Sequence, residues 1–404
     1  MTDQIGFSYI VRLVNPNGVV PASHLLVCVL CALFVLAIPA LRNRASLLII
    51  CAVATIVIYR QSTLGYLLTN SIVFVVLLFL ERAANRRDQK SRLRWRGACA
   101  AILILAVVFL AGRAWQLNTR GLSVAGVQWV LFGLDMWLVL RLITLLWEFG
   151  SGRLERPNVW SYAVWVGVPF ISFGPIIRYS EFEPQLSSPE RRQLIRGAFS
   201  VSWLKKFLIA ILMIFAGVIL TNLHQLIYAF GGAGLPLWVK LLDGFGISPW
   251  GFIFLWAGYY KAMECLALMW GIRLPLSFNR PFGRENISRF WANWNMTATS
   301  VFRDYLFYNR WGAQSVNVYL NTLIIFTLVG MWHSFNAYWI LWGLLHGIGF
   351  CFFIRYSRSK LKQALENTAW QRWPGQLFSI VVTYVFVCSC WILPSQFLKL
   401  LGRI

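Results

Sequence analysis

The sequence predicts an all-α polytopic membrane protein, and three observations support the prediction. Of its 404 residues, 58% are hydrophobic and only 13% are charged, against a charged share of about 25% in typical soluble domains. The mean hydropathy is +0.63. Apolar stretches of roughly the 20 residues that cross a bilayer recur along the whole chain. Because such spans share lipid as their solvent and pack as one body, we expect a single domain over residues 1–404.

Candidate spans follow one another at short intervals and make about eleven transmembrane helices. In chain order they cover residues 23–41, 45–59, 63–80, 97–113, 125–147, 158–177, 200–221, 249–271, 316–332, 336–354 and 376–394. Residues 222–248 are rich in Gly and Pro and are predicted to form a loop with re-entrant character. Two polar stretches, Arg178–Arg196 and Leu274–Gly312, are candidates for re-entrant or interfacial helices, since protein or a cavity must surround irregular backbone at membrane depth.

Positive charge dominates the chain, with 37 Lys and Arg against 14 Asp and Glu and a formal net charge of +23. The basic residues are spread through short loops between apolar spans, which indicates orientation in the membrane and not a nucleic-acid partner. The segment Glu81–Arg96 carries seven Arg and Lys against two acids, so we place it in the cytoplasm and the N-terminus outside. A basic cytoplasmic face would also attract an acidic soluble partner or anionic lipid head groups.

The eight cysteines lie in or beside apolar segments, and we expect them to pack in the protein interior. Two pairs are closely spaced, Cys28 with Cys31 and Cys388 with Cys390. Neither pair has a polar setting or a second pair of ligands, so no metal site or disulfide is predicted. Of the four histidines, His24 begins the first span and His224 falls in a predicted loop. Both are expected at the membrane interface.

His333 is the most informative residue, because it lies inside the apolar stretch Thr322–Trp342. Ionisable groups at membrane depth are rare and usually line a cavity or a pathway. His346 follows 13 residues later, and on an unbroken helix the two rings would point about 140° apart, which argues against a shared zinc site. The polar break at residues 334–336 predicts instead that one helix ends just after His333 and leaves its imidazole beside a cavity. A catalytic base and a hydrogen-bonded core histidine both fit this position.

A polar and aromatic stretch, Phe278–Phe307, precedes these histidines between two hydrophobic spans. Its second half predicts one amphiphilic helix, which carries Trp291, Trp294, Asn295, Arg303 and Asp304. An amide such as Asn295 donates and accepts at once, which suits the binding of a carbonyl or hydroxyl in a dry site. The adjacent Arg303 and Asp304 would point about 100° apart on a helix and need not pair with each other. An interfacial helix with its tryptophans at the head groups is the alternative.

Four sequence blocks occur in order and together cover about residues 170–350. They are FGPIIRYSEFEPQL (Phe173–Leu186), AGYYKAMECLALMWGIRLPLSFNRPF (Ala257–Phe282), ISRFWANWNMTATSVFRDYLF (Ile287–Phe307) and GMWHSFNAYWILWGLLHG (Gly330–Gly347). In this combination the chain resembles the membrane-bound O-acyltransferase (MBOAT) family. The likeness is greatest to the bacterial branch that includes the alginate O-acetyltransferase and the D-alanyl transferase of teichoic acids.

The resemblance implies a set of site residues. The near-invariant histidine of the family falls on His333, which would be the general base, and its other polar active-site position falls on Asn295, which would position the acceptor or stabilise the oxyanion. The bacterial branch more often has histidine at this second position, whereas asparagine is usual in eukaryotic members that acylate lipids and proteins. Ser334 replaces the usual glycine. The candidates for substrate-binding or supporting roles are Trp291, Trp294, Arg303, Asp304, Trp332 and His346.

The same resemblance implies a ring of spans around a thinned centre, crossed by a tunnel with His333 near its middle. The expected donor is a thioester, either acyl-CoA or an acyl-phosphopantetheine on an acidic acyl-carrier protein at the cytoplasmic face, with no bound cofactor. The expected acceptor is a hydroxyl group of a cell-envelope glycan, a glycolipid or a membrane lipid. We expect direct acyl transfer in a bacterial cytoplasmic (inner) membrane.

Two other functions stay open on the sequence. A proton-coupled transporter or channel would use His333 as a proton relay, but it predicts acids along the spans and internal repeats. The spans offer only isolated acids such as Asp135 and Glu264. An inactive MBOAT-like scaffold would fit the departures from the family pattern at Asn295 and Ser334.

Overall fold

The structure, a computed structural model, describes residues 22–37, 44–59, 63–119, 136–198, 200–231, 234–307, 317–333, 336–360, 362 and 373–401. These residues form helices, with no β-strand among them, so the all-α class is confirmed. The α-helices are α1 (Ala22–Ala37), α2 (Arg44–Tyr59), α3 (Thr63–Ala84), α4 (Gln89–Thr119), α5 (Met136–Gly150), α6 (Val159–Gly167), α7 (Tyr179–Ser187), α8 (Arg191–Gly197), α9 (Val201–Gly231), α10 (Leu237–Leu242), α11 (Ser248–Leu268), α12 (Ile287–Trp291), α13 (Met296–Val301), α14 (Val318–His333), α15 (Ala337–Ser357) and α16 (Trp373–Leu400).

Several described helices have the length and composition of membrane spans. Five are long and apolar enough to cross a bilayer, namely Thr63–Ala84, Gln89–Gly112, Val201–Gly231, Ala337–Ser357 and Trp373–Leu400. Three shorter apolar helices are His24–Val35, Ala45–Tyr59 and Val318–His333. The chain is therefore an integral membrane protein, while the count of about eleven spans and the ring around a tunnel stay predictions. The predicted span 125–147 is described only from Met136 onward.

One predicted span, residues 158–177, is wrong, because the helix there is interrupted. Helix α6 ends at Gly167, and a 3₁₀ turn follows at Pro169–Ile171. Val168, the residue before the proline, is extended with φ −65° and ψ 124°. A proline disfavours the helical conformation of the residue before it and supplies no N–H to the helix, so the apolar stretch cannot continue as one helix.

The predicted loop at residues 222–248 is also mostly helical. Helix α9 continues to Gly231, and α10 begins again after Pro236. A π-helix, Asp243–Ile247, then connects α10 directly to α11. The apolar side chains between residues 222 and 230 extend the preceding span, and the next helix begins only after Pro236.

The chain divides into two compact units, Met1–Phe215 with Ala257–Pro275, and Ala216–Trp256 with Leu276–Ile404. The expectation of a single domain stays a prediction.

The first unit has a buried histidine where an interfacial one was predicted. The Nε2–H of His24 donates to the carbonyl oxygen of Pro169 at 3.1 Å, and its Nδ1 accepts from the hydroxyl of Tyr259 at 2.8 Å. The backbone carbonyl can only accept, so it fixes the tautomer of the ring. His24 therefore connects the first helix to two distant segments, and its interfacial assignment is wrong.

In the second unit, helices α14 and α15 cross closely at two glycines. A Cβ atom on Gly330 would collide with the backbone carbonyl oxygen of Trp339, and one on Gly343 would collide with that of Phe326. Small residues allow this approach between membrane helices, which pack by van der Waals contact. The crossing lies three residues before His333 and fixes the end of α14 against α15.

Candidate active site

The stretch predicted as one amphiphilic helix is three short elements, and that prediction is wrong. Asn286 caps α12 by accepting the backbone N–H of Arg289 at 2.8 Å. The chain then turns before α13, and a π-helix, Phe302–Phe307, follows α13 directly. The preceding segment stabilises this turn, because the N–H of Met296 donates to the carbonyl oxygen of Ser277 at 2.7 Å.

Asn295 occupies this turn with a left-handed backbone, at φ 39° and ψ 53°. Asparagine enters this region more readily than other residues that carry a Cβ atom. Its side chain makes no capping hydrogen bond to α13, although its Oδ1 accepts from the hydroxyl of Thr297 at 3.5 Å. Sparsely populated backbone conformations of this kind cluster at functional sites. The turn leaves the side chain half-buried, on the wall of a cavity.

The cavity has a volume of about 350 Å³ and lies within the second unit. Six of the eight predicted site residues are on its wall: Trp291, Trp294, Asn295, Arg303, Trp332 and His333. The rest of the wall is largely apolar and includes Ile325, Phe326 and Val329. Binding sites for small molecules have this character, with a few polar groups fixing orientation in an apolar enclosure of a few hundred Å³. The structure thus brings together residues that are more than 40 positions apart.

His333 is the last residue of α14, as the polar break predicts. The next helix, α15, begins after Asn336, whose Oδ1 accepts the backbone N–H of Trp339 at 3.0 Å. The imidazole stacks on Trp339 with ring centroids 4.5 Å apart and an interplanar angle of 19°, and Trp332 lies 4.6 Å from it. Among the described residues, none hydrogen-bonds to the ring nitrogens, and His333 lines the cavity. Ser334 lies outside the described residues.

His346 lies away from the cavity wall and is fully buried. Its Nδ1 donates to the carbonyl oxygen of Trp342, one helical turn earlier, at 3.0 Å. Trp342 lies between the two histidines, with its ring centroid 4.3 Å from that of His346 and 5.4 Å from that of His333. Within the described residues, no group of three or more His, Cys, Asp and Glu side chains is placed to hold a metal ion.

Arg303 and Asp304 form an ion pair, which their predicted directions on a helix did not require. The Nε of Arg303 lies 2.7 Å from Oδ1 of Asp304. The predicted angle of about 100° applies to an α-helix, whereas both residues lie in the wider turn of the π-helix. Arg303 is half-exposed and borders the cavity, while Asp304 is outside its wall. The pair therefore puts one partly neutralised cation on the cavity wall.

The tryptophans pack inside the protein, which disfavours a belt at the head groups. Trp291 belongs to a buried cluster with Phe290 and Trp342. Trp294 stacks against Phe252, with ring centroids 6.0 Å apart and an interplanar angle of 5°. Trp339 was not predicted as a site residue, although it lies in the same block as His333. Trp339 lies three residues after the capping Asn336, in the first turn of α15. That position next to the helix break after His333 is the sequence signal that could have indicated Trp339 as a site residue.

The chain matches a family model over most of its length. Residues 54–395 match the model of the membrane-bound O-acyltransferase family, which confirms the resemblance drawn from the four sequence blocks.

Similar proteins come from bacteria. A peptidoglycan O-acetyltransferase of Helicobacter pylori is 27% identical over 57% of this chain and 43% of its own length. A teichoic acid D-alanyltransferase of Streptococcus thermophilus is 26% identical over 65% of this chain and 68% of its own length. A probable alginate O-acetylase of Pseudomonas aeruginosa is 27% identical over 35% of this chain and 25% of its own length. The chain thus spans less than half of the first relative and about two thirds of the second.

Proposed function

The chain belongs to the membrane-bound O-acyltransferase family, and we propose that it transfers an acyl group from a thioester donor to a hydroxyl acceptor of the bacterial cell envelope. The names of the three relatives support the acceptor class, since they give peptidoglycan, teichoic acid and alginate as the polymers that are acylated. A glycolipid or membrane lipid acceptor belongs to the same chemical class. The bacterial relatives also support a location in the cytoplasmic (inner) membrane.

The observation that carries the proposal is the imidazole of His333 on the cavity wall that also carries the amide of Asn295. His333 takes the proton of the acceptor hydroxyl as its oxygen attacks the thioester carbonyl carbon. When the tetrahedral intermediate collapses, the C–S bond breaks and the imidazolium returns the proton to the leaving thiolate. The products are an ester and a thiol. General base catalysis of this kind contributes about 10² to 10⁴-fold to the rate.

Asn295 stabilises the negative charge that develops on the carbonyl oxygen. Its side-chain NH₂ group donates hydrogen bonds and needs no change of protonation. A donor that is already oriented costs no reorganisation during the reaction, and loss of one such donor lowers the rate by about 10² to 10³-fold. The half-buried position of Asn295 in a fixed turn supports this role.

The donor is acyl-CoA or an acyl-phosphopantetheine carried by an acidic protein. Both carry phosphate, and Arg303 supplies positive charge on the cavity wall. The basic segment between Arg82 and Arg96 supplies more at the face predicted to be cytoplasmic. In this mechanism the thioester is a substrate and no bound cofactor is required.

The test compares strains that carry the wild-type chain, His333→Ala, and His224→Ala as a matched control. His224 bonds to Asp243 and Ser248 and is not on the cavity wall. Mass spectrometry of lipids and of ester groups on envelope glycans should show products that disappear in His333→Ala and persist in His224→Ala, at equal protein levels. Unchanged products in His333→Ala would refute the proposed base. No product in any strain would indicate an inactive scaffold.

A further inference from the structure

Three buried nitrogen atoms beside the active-site cavity have no hydrogen-bond partner among the described residues. They are Nε1 of Trp291, Nε1 of Trp342 and Nε2 of His346. Their residues are 8%, 2% and 0% exposed, respectively. Buried polar atoms in native proteins almost always have a partner, from the chain, from water or from a ligand. Other buried atoms of the described residues also lack a partner, but these three belong to neighbouring rings, which points to one shared group that binds there.

The three rings are direct neighbours. The centroid of His346 lies 4.3 Å from that of Trp342 and 5.2 Å from that of Trp291. The two indole rings are 5.8 Å apart and nearly perpendicular, at 85°. One small group can therefore lie within reach of more than one of the three nitrogens.

The chemistry of the three nitrogens restricts what that group is. Because Nδ1 of His346 donates to the carbonyl oxygen of Trp342, the neutral ring presents Nε2 as an acceptor. The two indole nitrogens are donors only. The set thus offers two donors and one acceptor. A hydroxyl group has one proton to donate and an oxygen that accepts two hydrogen bonds, so it satisfies all three nitrogens.

Charged groups match the set poorly. A carboxylate accepts but does not donate, so it would leave Nε2 of His346 unpaired. An ammonium group donates but does not accept, so it would leave both indole N–H groups unpaired.

We propose that Trp291, Trp342 and His346 form a binding site for a hydroxyl group next to the active-site cavity. The hydroxyl comes from a water molecule or from the acyl acceptor. Trp291 connects this hydroxyl site to the cavity, because its ring is on the cavity wall and also contacts His346. The case in which the hydroxyl belongs to the acyl acceptor rests on the proposed function. The site would then bind one hydroxyl of a polyhydroxyl acceptor while another hydroxyl reacts at His333.

The first experiment is an experimental structure of the full chain in lipid nanodiscs, at a resolution that shows ordered water, with and without glycerol as the hydroxyl probe. A density peak within hydrogen-bond distance of at least two of the three nitrogens is expected. A peak in both samples identifies water as the occupant, and a peak only with glycerol identifies an alcohol hydroxyl. The proposal is overturned if neither sample has a peak, or if groups of the chain itself bond to these nitrogens.

The second experiment measures thermal unfolding of His346→Phe, Trp342→Phe and the double variant. If the nitrogens share one hydroxyl, each single variant lowers the midpoint temperature, and the double variant lowers it by less than the sum. The control pair is His346→Phe with Phe386→Leu, because Phe386 also contacts His346, at 6.0 Å, but has no polar atom. If both pairs depart from the sum of their single variants by the same amount, ring packing explains the effect and the shared hydroxyl is refuted. His346→Gln, which keeps an acceptor, should unfold closer to wild type than His346→Phe.

Failure of this proposal and failure of the proposed function give different results. His333→Ala should abolish ester formation yet keep the density peak at the hydroxyl site. If the peak persists while the wild-type chain forms no ester, the site exists and only the transferase function is wrong. If the wild-type chain forms ester but no peak is present, the transferase function stands and the hydroxyl site is wrong.

Discussion

Replacing Asn295 by glycine and by alanine separates the amide from the backbone conformation that holds it. Both variants remove the proposed oxyanion donor, so both should lower the turnover number by about 10² to 10³-fold, which corresponds to about 2.7 to 4 kcal/mol of transition-state stabilisation. The variants should differ in stability, because the residue lies at φ 39° and ψ 53°. Left-handed backbone costs a residue with a Cβ atom about 1 to 2 kcal/mol and costs glycine almost nothing.

The structure excludes one other source of a stability difference. The side chain of Asn295 makes no capping hydrogen bond to α13, so neither substitution removes a helix cap. Asn295→Ala should therefore unfold at a lower temperature than Asn295→Gly, with about equal loss of turnover in both. The control is Arg280→Gly, at the other non-glycine residue with positive φ among those described, 47°. Arg280 is exposed and not on the cavity wall, so this variant should keep its turnover.

The assay uses full-length protein in nanodiscs, with the acceptor identified in the strain comparison and with acyl-CoA and an acyl-carrier protein each tried as the donor. Single-turnover ester formation reports the chemical step, and thermal unfolding of the same samples reports stability. Wild-type turnover in Asn295→Gly would refute the role of the amide. A loss in Asn295→Ala alone would assign the effect to the backbone. Equal unfolding temperatures of the two variants would contradict the left-handed conformation.

Three further predictions concern other parts of the chain. His346→Ala should reduce ester formation less than His333→Ala does, measured at matched protein levels, and the reverse order would make His346 the base. Raising the ionic strength should weaken donor binding, because steering of an anionic donor is screened over a Debye length of about 8 Å at physiological salt. Reversing several charges between Arg82 and Arg96 should reduce that salt dependence, and an unchanged response in a correctly inserted variant would show that the donor docks elsewhere. Gly343→Ala should destabilise the protein by about 1 to 3 kcal/mol, since the added Cβ collides with the backbone of α14. Gly197→Ala, where a Cβ meets nothing within 4 Å, is its control in thermal unfolding, and equal stability of the two variants would contradict the close crossing.

The sequence predicted best where local signals decide the structure. The end of α14 at His333 was predicted because polar residues interrupt an apolar run, and Asn336 then caps the next helix. The family was predicted from four ordered blocks and is confirmed by the match over residues 54–395. Six of the eight predicted site residues share one cavity wall, although their roles in catalysis stay predictions.

The sequence failed where distant segments or a local departure from helical geometry decide the structure. His24 was assigned to the interface because its partners, Pro169 and Tyr259, are 145 and 235 positions away. The break at Asn295 depends on a backbone hydrogen bond from the segment at Ser277, which local hydrophobic periodicity does not contain. No simple periodicity indicates the π-helix that contains Arg303 and Asp304.

The glycine crossing of α14 and α15 couples the position of His333 to that of α15. Because Gly330 and Gly343 hold the two helix backbones in contact, a lateral shift of α15 must carry His333 with it. His333 and Trp339, on which it stacks, should therefore keep their relative positions. The part of the cavity wall around Asn295 is built from short elements that a single turn connects. We therefore expect a bulky substrate to be accommodated by displacement of the short elements around Asn295, with His333 held in register.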